Sequence, residues 1–311
     1  MRTRMMRVAG VLVLCIASAV GGGEGSTAER QPIYQVDGKG MARVEAALVR
    51  AGRENKRVLL KIGGNWCGWC YKLHDVLHKE KAVAQVLRAE YELVMIDSQA
   101  DKAVIEKWGI DPKGYPYLAV LDASGKKATE QRTDPLEVGS KHDPKKVRAF
   151  LEKWQAARLE AGAVFAAALD KARKEKKHVF VRVGAPWCGW CVRMDKFLAR
   201  PEVAKILEKD YVVVKIDLTR MTGAKAVVAE IRKPSEAGGI PWFAFLDGSG
   251  KILITSTKPG GGNIGFPVDP EKEIPHFVAM LKQTRAKISD ADISYLREAL
   301  IKADPRPRRA G

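Results

Sequence analysis

The sequence predicts an α/β protein built from two tandem domains, each a central mixed β-sheet flanked by helices. Three observations carry this reading. The chain has 311 residues, enough for two domains of roughly 100–200 residues each. Residues 40–77 align without a gap on residues 161–198, in the frame that lays Cys67 on Cys188. A repeat of that length is a duplicated domain, not a solenoid unit. Within each copy, apolar runs of strand length alternate with helical periodicity and end in a hairpin signal, the pattern of a mixed sheet covered on both sides.

The elements follow in order. An amphipathic helix is expected over about residues 41–54 and again over 162–176. The apolar, β-branched runs Val58–Ile62 and Val179–Val183 suit buried strands. A Cys-x-x-Cys pair then opens a helix in each copy. After a one-residue slip, residues 86–97 match 206–217, which places second strands at Glu92–Ile96 and Val212–Ile216. A polar, helical stretch leads to the strands Tyr117–Leu121 and Trp242–Leu246. The turns Asp122-Ala-Ser-Gly125 and Asp247-Gly-Ser-Gly250 send the chain back into one more strand. A closing helix finishes each unit; the first begins near Asp143-Pro144, a capping residue followed by proline at the first turn.

This divides the chain into a leader at 1–28, a first domain at 33–157, a second at 158–287, and a helix with a basic tail at 288–311. The leader has the form of a secretory signal. Arg2, Arg4 and Arg7 precede the uncharged run Val8–Val20, and Ala17-Ser18-Ala19 fits a cleavage site, with a later cut after Ala28 as an alternative. The run is short of the ~20 apolar residues that span a bilayer. An uncleaved anchor is the competing reading. The expected location is outside the cytoplasm, in a periplasm or secreted.

Formal net charge is +17, with basic residues concentrated at Arg50–Lys61, Lys171–Lys177 and Arg306-Pro307-Arg308-Arg309. Acidic residues interrupt the first two clusters and no nucleic-acid motif accompanies them. Nucleic acid is therefore not an expected partner, and membrane contact is at most weak and peripheral.

Five cysteines are present; without the leader's Cys15, four remain. All four stand in two Cys-x-x-Cys pairs, so none is left for a long-range structural bridge. So local a disulfide closes a very short loop and adds little stability, which favours chemistry over stapling. A Cys₄ zinc site is the alternative, but Cys70 and Cys188 are much further apart than the ~15–20 residues of compact zinc modules. His74 and His78, at i and i+4, could share a helix face and bind metal; the second copy has Asp195 where the first has His74. No metal is expected.

Trp66-Cys67-Gly68-Trp69-Cys70 and Trp187-Cys188-Gly189-Trp190-Cys191, each after an apolar strand, resemble the thioredoxin superfamily, in particular thioredoxin-like proteins of the bacterial envelope. Tyr115-Pro116-Tyr117 and Ile240-Pro241-Trp242 resemble the family's cis-proline loop. The resemblance covers residues 33–285. It implies that Cys67 and Cys188 are nucleophiles, that Cys70 and Cys191 resolve the mixed disulfide, and that Trp66, Gly68, Trp69, Tyr115, Pro116, Trp187, Gly189, Trp190, Ile240 and Pro241 line the substrate site. It also implies a protein thiol–disulfide oxidoreductase that needs no bound cofactor. Its partners would be protein thiols and disulfides and an upstream redox protein. Disulfide isomerase and a non-catalytic binding module with the same fold are the alternatives.

Both copies depart from the family at one place. Family members often carry a buried acid six residues before the first cysteine, where it helps to deprotonate the resolving thiol. Here those positions are Lys61 and Arg182. If the two cations reach the cysteines, they favour the thiolate electrostatically but are poor proton acceptors. The competing expectation is that both side chains snorkel to the surface.

Overall fold

A helix whose small residues face inward precedes the central strand of each main sheet. In the first half, α1 (Gly40–Glu54) buries Val44, Ala47 and Ala51 and leads into β1 (Arg57–Gly63). Then come α2 (Gly68–Lys79), α3 (Lys81–Glu90), β2 (Tyr91–Asp97), α4 (Lys102–Lys107), β3 (Tyr117–Leu121) and β4 (Lys127–Arg132). A small hairpin, β5 (Glu137–Val138) and β6 (Lys141–His142), precedes α5 (Pro144–Lys153). In the second half the order is β7 (Leu159–Glu160), α6 (Ala161–Glu175), β8 (His178–Gly184), α7 (Gly189–Leu198), α8 (Pro201–Leu207), β9 (Tyr211–Asp217), β10 (Met221–Thr222), α9 (Ala224–Ile231), β11 (Trp242–Leu246) and β12 (Ile252–Thr255). Two helices close the chain, α10 (Ile274–Thr284) and α11 (Asp290–Lys302). This computed structural model describes residues 30–236 and 238–304. The leader, its cleavage points and the basic tail lie outside the described residues.

The two main sheets have one topology. The first runs β2-β1-β3-β4 and the second β9-β8-β11-β12. In both, the first pair is parallel and the other two are antiparallel. A register shift sits at the same place in each hairpin, between Val120 and Leu121 and between Phe245 and Leu246. The central strands β1 and β8 are covered on both faces, which explains their continuous apolar runs. One face of the first sheet packs on α1 and α4 through Val58, Leu60 and Ile62. The other packs on α2, α3 and α5 through Leu59, Leu118 and Val120. The second sheet repeats this, with α6 and α9 on one face and α7, α8, α10 and α11 on the other.

Periodicity alone did not mark α3 and α8, whose first residues follow α2 and α7 almost directly. A Pro at the start of α8 and the extended caps Glu80 and Arg200 break what would otherwise be one long helix. The ends of α1 and α6 are also duplicated: Asn55 and Lys176 both take the left-handed conformation, at φ 51° and 52°. The repeats diverge after the hairpin. The first uses the β5–β6 hairpin; the second uses a glycine-rich segment around Gly260–Gly262.

The last two helices are tied to the second sheet by one carboxylate. Asp210, just before β9, accepts the N–H groups of Ala286 at 2.9 Å, Lys287 at 2.8 Å and Ile288 at 2.8 Å. These are buried or half-buried donors at the turn between α10 and α11. Asp210→Ala leaves them without an acceptor, so a loss of about 3 kcal/mol is expected in urea denaturation, with Asp210→Asn intermediate. A loss under about 1 kcal/mol would show that solvent replaces the carboxylate.

The repeats also hold each other. Arg220, in the turn after β9, is 8% exposed and meets the equally enclosed Glu90 at the end of α3. Its Nε donates to Glu90 Oε2 at 3.0 Å, and its terminal nitrogens donate to the carbonyls of Glu54 at 2.9 Å and Asn55 at 2.7 Å. Asn55 donates in turn to the carbonyl of Ala157, between the repeats, at 2.9 Å.

Candidate functional site

Both Cys-x-x-Cys pairs sit where a strand ends and a helix begins. Cys67 and Cys188 are the N-caps of α2 and α7 and keep extended backbone, φ −90° and −83°. Each first sulfur accepts the backbone N–H of its partner cysteine, at 3.1 Å in both copies. A helix N-terminus leaves such N–H groups unpaired and carries partial positive charge, so a thiolate is stabilised there. The pairs are joined as disulfides Cys67–Cys70 and Cys188–Cys191, each with Cα atoms 5.2 Å apart. The sulfurs are not equally accessible: Cys67 is 6% exposed and Cys188 8%, against 0% for Cys70 and 2% for Cys191. From solvent, the first cysteine of each pair is therefore the one that can be reached.

The proline loops lie against the pairs. Tyr115–Pro116 and Ile240–Pro241 are cis peptides, and the carbonyl oxygen of Ile240 is 3.4 Å from Cys188 Sγ. The Pro116 carbonyl accepts the Thr133 hydroxyl at 3.2 Å, and the Pro241 carbonyl accepts the Asn263 amide at 2.8 Å. Thr133 and Asn263 thus brace equivalent carbonyls from the two unlike segments that follow the hairpins. No local pattern in the sequence singles them out.

The tryptophans take two roles. Trp66 and Trp187, before the nucleophiles, are 61% and 65% exposed. Trp66 stands edge-on to Tyr115 with centroids 5.5 Å apart, and Trp187 Nε1 donates to Thr219 Oγ1 at 3.1 Å. Trp69, inside the first pair, is half-buried between the His142 ring, 5.4 Å away, and Lys72 Nζ, 4.1 Å above its centroid. Trp190 is more exposed and carries Arg193 over its face. A Cβ on Gly68 or Gly189 would meet nothing within 4 Å, so the surface at each helix start is bare.

The glycines that matter for packing lie four residues before each nucleophile. A Cβ on Gly63 would collide with Cys70 Sγ and would lie 2.7 Å from the Tyr34 hydroxyl. A Cβ on Gly184 would lie 3.2 Å from Cys191 Cβ. Gly63 and Gly184 let the buried cysteines approach the central strand; their shared spacing before Trp-Cys was the available signal.

Lys61 does not reach the surface, and Arg182 is half-buried, its side chain 14% exposed. Lys61 is fully buried, and its Nζ donates to the Tyr34 hydroxyl at 2.9 Å. With no carboxylate beside it, burial brings its ammonium down to about 7. Arg182 ion-pairs with Asp195, whose other oxygen accepts from Lys215 Nζ at 2.8 Å. Burial lowers Arg182 to about 10, opposed by Glu54 and Asp217, so it stays charged at neutral pH. The same strand position therefore holds a weak base in one repeat and a paired cation in the other.

His74 and His78 stack with centroids 4.1 Å apart, and His78 Nδ1 contacts the His74 carbonyl at 2.9 Å. Burial, aided by His78 and Lys61, pushes His74 down to about 4. Among the described residues no three His, Cys, Asp or Glu side chains are grouped to hold a metal ion.

The family described as thioredoxin-like matches residues 40–123 and 160–248, more than half of the chain and both disulfides. The chain belongs to the thioredoxin-like family. Among related proteins, Spermatogenesis-associated protein 20 of Homo sapiens is 35% identical over 105 residues, covering 32% of this chain and 13% of that protein. Protein disulfide-isomerase 1 of Dictyostelium discoideum is 28% identical over 174 residues, covering 52% of this chain and 45% of that protein. This chain thus spans under half the length of either relative. The oxidised C-terminal domain of Neisseria meningitidis DsbD is 24% identical and fully covered, by 42% of this chain, with a TM-score of 0.27. Family membership rests on the match across both thioredoxin-like repeats and not on that partial superposition.

Proposed function

We propose that this thioredoxin-like chain is an exported thiol–disulfide oxidoreductase that acts on protein substrates through two sites. One observation carries the proposal: each accessible cysteine caps a helix and receives the N–H of its enclosed partner, on an open surface beside an exposed tryptophan. The N–H and helix end favour the thiolate, which is the reactive form.

In the reducing direction, the Cys67 thiolate attacks a substrate disulfide. A Cys67–substrate bond forms, the substrate S–S bond breaks, and the released thiolate takes a proton from water. Cys70, one turn along α2, then attacks Cys67 Sγ. The Cys67–Cys70 disulfide forms, the second substrate thiol leaves, and two electrons have passed to the substrate. Cys188 and Cys191 repeat this on α7, and the reverse sequence oxidises a dithiol. Electrons move only through cysteine pairs, so no bound cofactor is required. Trp66, Tyr115 and Pro116, and Trp187, Ile240 and Pro241, would form the walls that receive the substrate chain. An upstream redox protein would restore the starting state.

Disulfide isomerase is the second reading, favoured by the Arg220 clamp, which holds two complete sites in one body. Insulin reduction with dithiothreitol measures the reductase activity, and recovery of scrambled ribonuclease measures isomerisation. Both activities are expected to depend on Cys67 and Cys188. A chain active in neither assay would be a binding module, and the proposal would be wrong. Export is tested by sequencing the N-terminus of the protein made in its own cell. A start at Val20 or Glu29 supports it; retention of Met1 overturns cleavage.

A further inference from the structure

The two repeats differ behind their disulfides. In the first, Asn65 fastens the segment before α1 onto the site. Its Oδ1 accepts the N–H groups of Ile33 and Tyr34, both at 2.9 Å, and its Nδ2 donates to the Tyr34 carbonyl at 3.0 Å. This seats Tyr34 in a buried cluster with Cys67 and Cys70. The Tyr34 hydroxyl and Cys70 Sγ both lie within 2.7 Å of one point, the place a Cβ on Gly63 would occupy, so they are near neighbours. On its other side the hydroxyl is 2.9 Å from Lys61 Nζ. Sulfur and hydroxyl thus border one point, and the hydroxyl also meets the Lys61 amine.

We propose that Lys61, acting through the Tyr34 hydroxyl, takes up the proton that Cys70 loses when it attacks the mixed disulfide on Cys67. The proposal rests on the thiol-exchange reading of this site and adds how its second step is driven. Cys70 must become a thiolate to attack. It is fully buried among apolar groups, which disfavours its ionisation. As its proton passes to the Tyr34 oxygen, the tyrosine's own proton passes to neutral Lys61. The Cys67–Cys70 bond forms, the Cys67–substrate bond breaks, and the charge left at the end is a buried ammonium that water later neutralises. Lys61 and Tyr34 are positioning residues for proton flow, not groups that touch substrate.

The other groups facing these three do not compete. From α2, His74 is held near 4, and from β6, His142 is also held near 4, both chiefly by burial. Both are too weakly basic to take a thiol proton. At the end of β2, Asp97 spends Oδ1 on the N–H groups of Gln99 and Ala100. Burial, aided by Asp97 and Tyr71, holds the Tyr34 hydroxyl protonated, as a relay requires. Lys61, near 7, is the base that meets the Tyr34 hydroxyl directly. The second repeat lacks the parts. Pro186 replaces Asn65, residues 154–160 contain no tyrosine, and Arg182 is ion-paired with Asp195.

The test uses the full chain with Cys188→Ser and Cys191→Ser, so that only the first site reports. The reduced protein is mixed with one equivalent of dithiobis(nitrobenzoate), whose leaving thiolate is coloured. The first phase of colour is attack by Cys67; the second is attack by Cys70. The second phase should accelerate with pH through about 7, where Lys61 loses its proton. Lys61→Met and Tyr34→Phe should each slow the second phase about a hundredfold at neutral pH. Each should also move its pH dependence above about 8.5, the range of an unassisted thiol. The double variant should be no slower than either single one, because the two residues serve one path. Tyr34→Phe removes only a hydroxyl, so it keeps the test open if Lys61→Met misfolds. A second phase whose rate and pH profile are unchanged in Tyr34→Phe overturns the relay. Absence of the first phase in the otherwise native site would instead overturn the thiol-exchange reading, and the relay with it.

Discussion

Serine at both Cys67 and Cys188 is expected to reduce the rate of insulin reduction at least about a thousandfold, to the level dithiothreitol supplies alone. A serine hydroxyl is not ionised at neutral pH and cannot form the mixed disulfide, while the helix-capping geometry is retained. The single variants should each keep the activity of the other site, so their sum partitions turnover between the repeats. Cys70→Ser and Cys191→Ser should behave differently. They leave the accessible nucleophile in place and remove the enclosed resolving group, so client protein should remain covalently attached to Cys67 or Cys188 and be released by reductant on a gel. If the Cys67→Ser, Cys188→Ser chain reduces insulin at the native rate, the cysteine pairs are not the reacting groups.

Arg220→Ala should be the most destabilising single change between the repeats, at about 3–5 kcal/mol. The arginine donates to Glu90 and to the carbonyls of Glu54 and Asn55, and all of these contacts are buried or half-buried. Its removal strands the Glu90 carboxylate inside protein, and an uncompensated buried charge costs more than the pair itself contributes. Glu90→Gln in the same chain should recover part of the loss, because it removes that charge. Urea denaturation followed by tryptophan fluorescence reads both effects. A single transition in the native chain should become two as the repeats lose their clamp. A loss below about 1 kcal/mol would show that the repeats are held by other contacts.

The clamp also bears on the second site. Arg182 feels Glu54 of the first repeat as well as Asp217 of its own sheet. Disrupting the Arg220 contacts at Glu54 and Asn55 therefore disturbs the charge balance behind Cys188 as well as stability. No pattern within either repeat reveals this, because the partners are separated by more than a hundred positions in sequence.

Much of the fold was legible because duplication prints each element twice. The strands β1, β8, β3 and β11 and the hairpin turns came from apolar runs and Asp-x-Ser-Gly, signals that act over a few residues. The break between α2 and α3 was not legible, since both helices share one periodicity and only an extended residue separates them. The short β7–β10 pair was missed for a different reason. Its residues are two each, too few to form a pattern, and their pairing is tertiary.

By itself, the sequence determined the repeat, the strand–helix order, the two cysteine pairs and the proline loops, because each is written in neighbouring residues. It also showed that Lys61 and Arg182 stand where family members often carry an acid. What those two bases do was decided only by tertiary structure. A lysine's charge depends on what surrounds it, and its surroundings come from β1, α2, the segment at Tyr34 and the β5–β6 hairpin. Lys61 is shut away beside a hydroxyl and gives up its proton easily, whereas Arg182 meets Asp195 and keeps its charge. Two positions that look equivalent in the chain have become chemically unlike through packing.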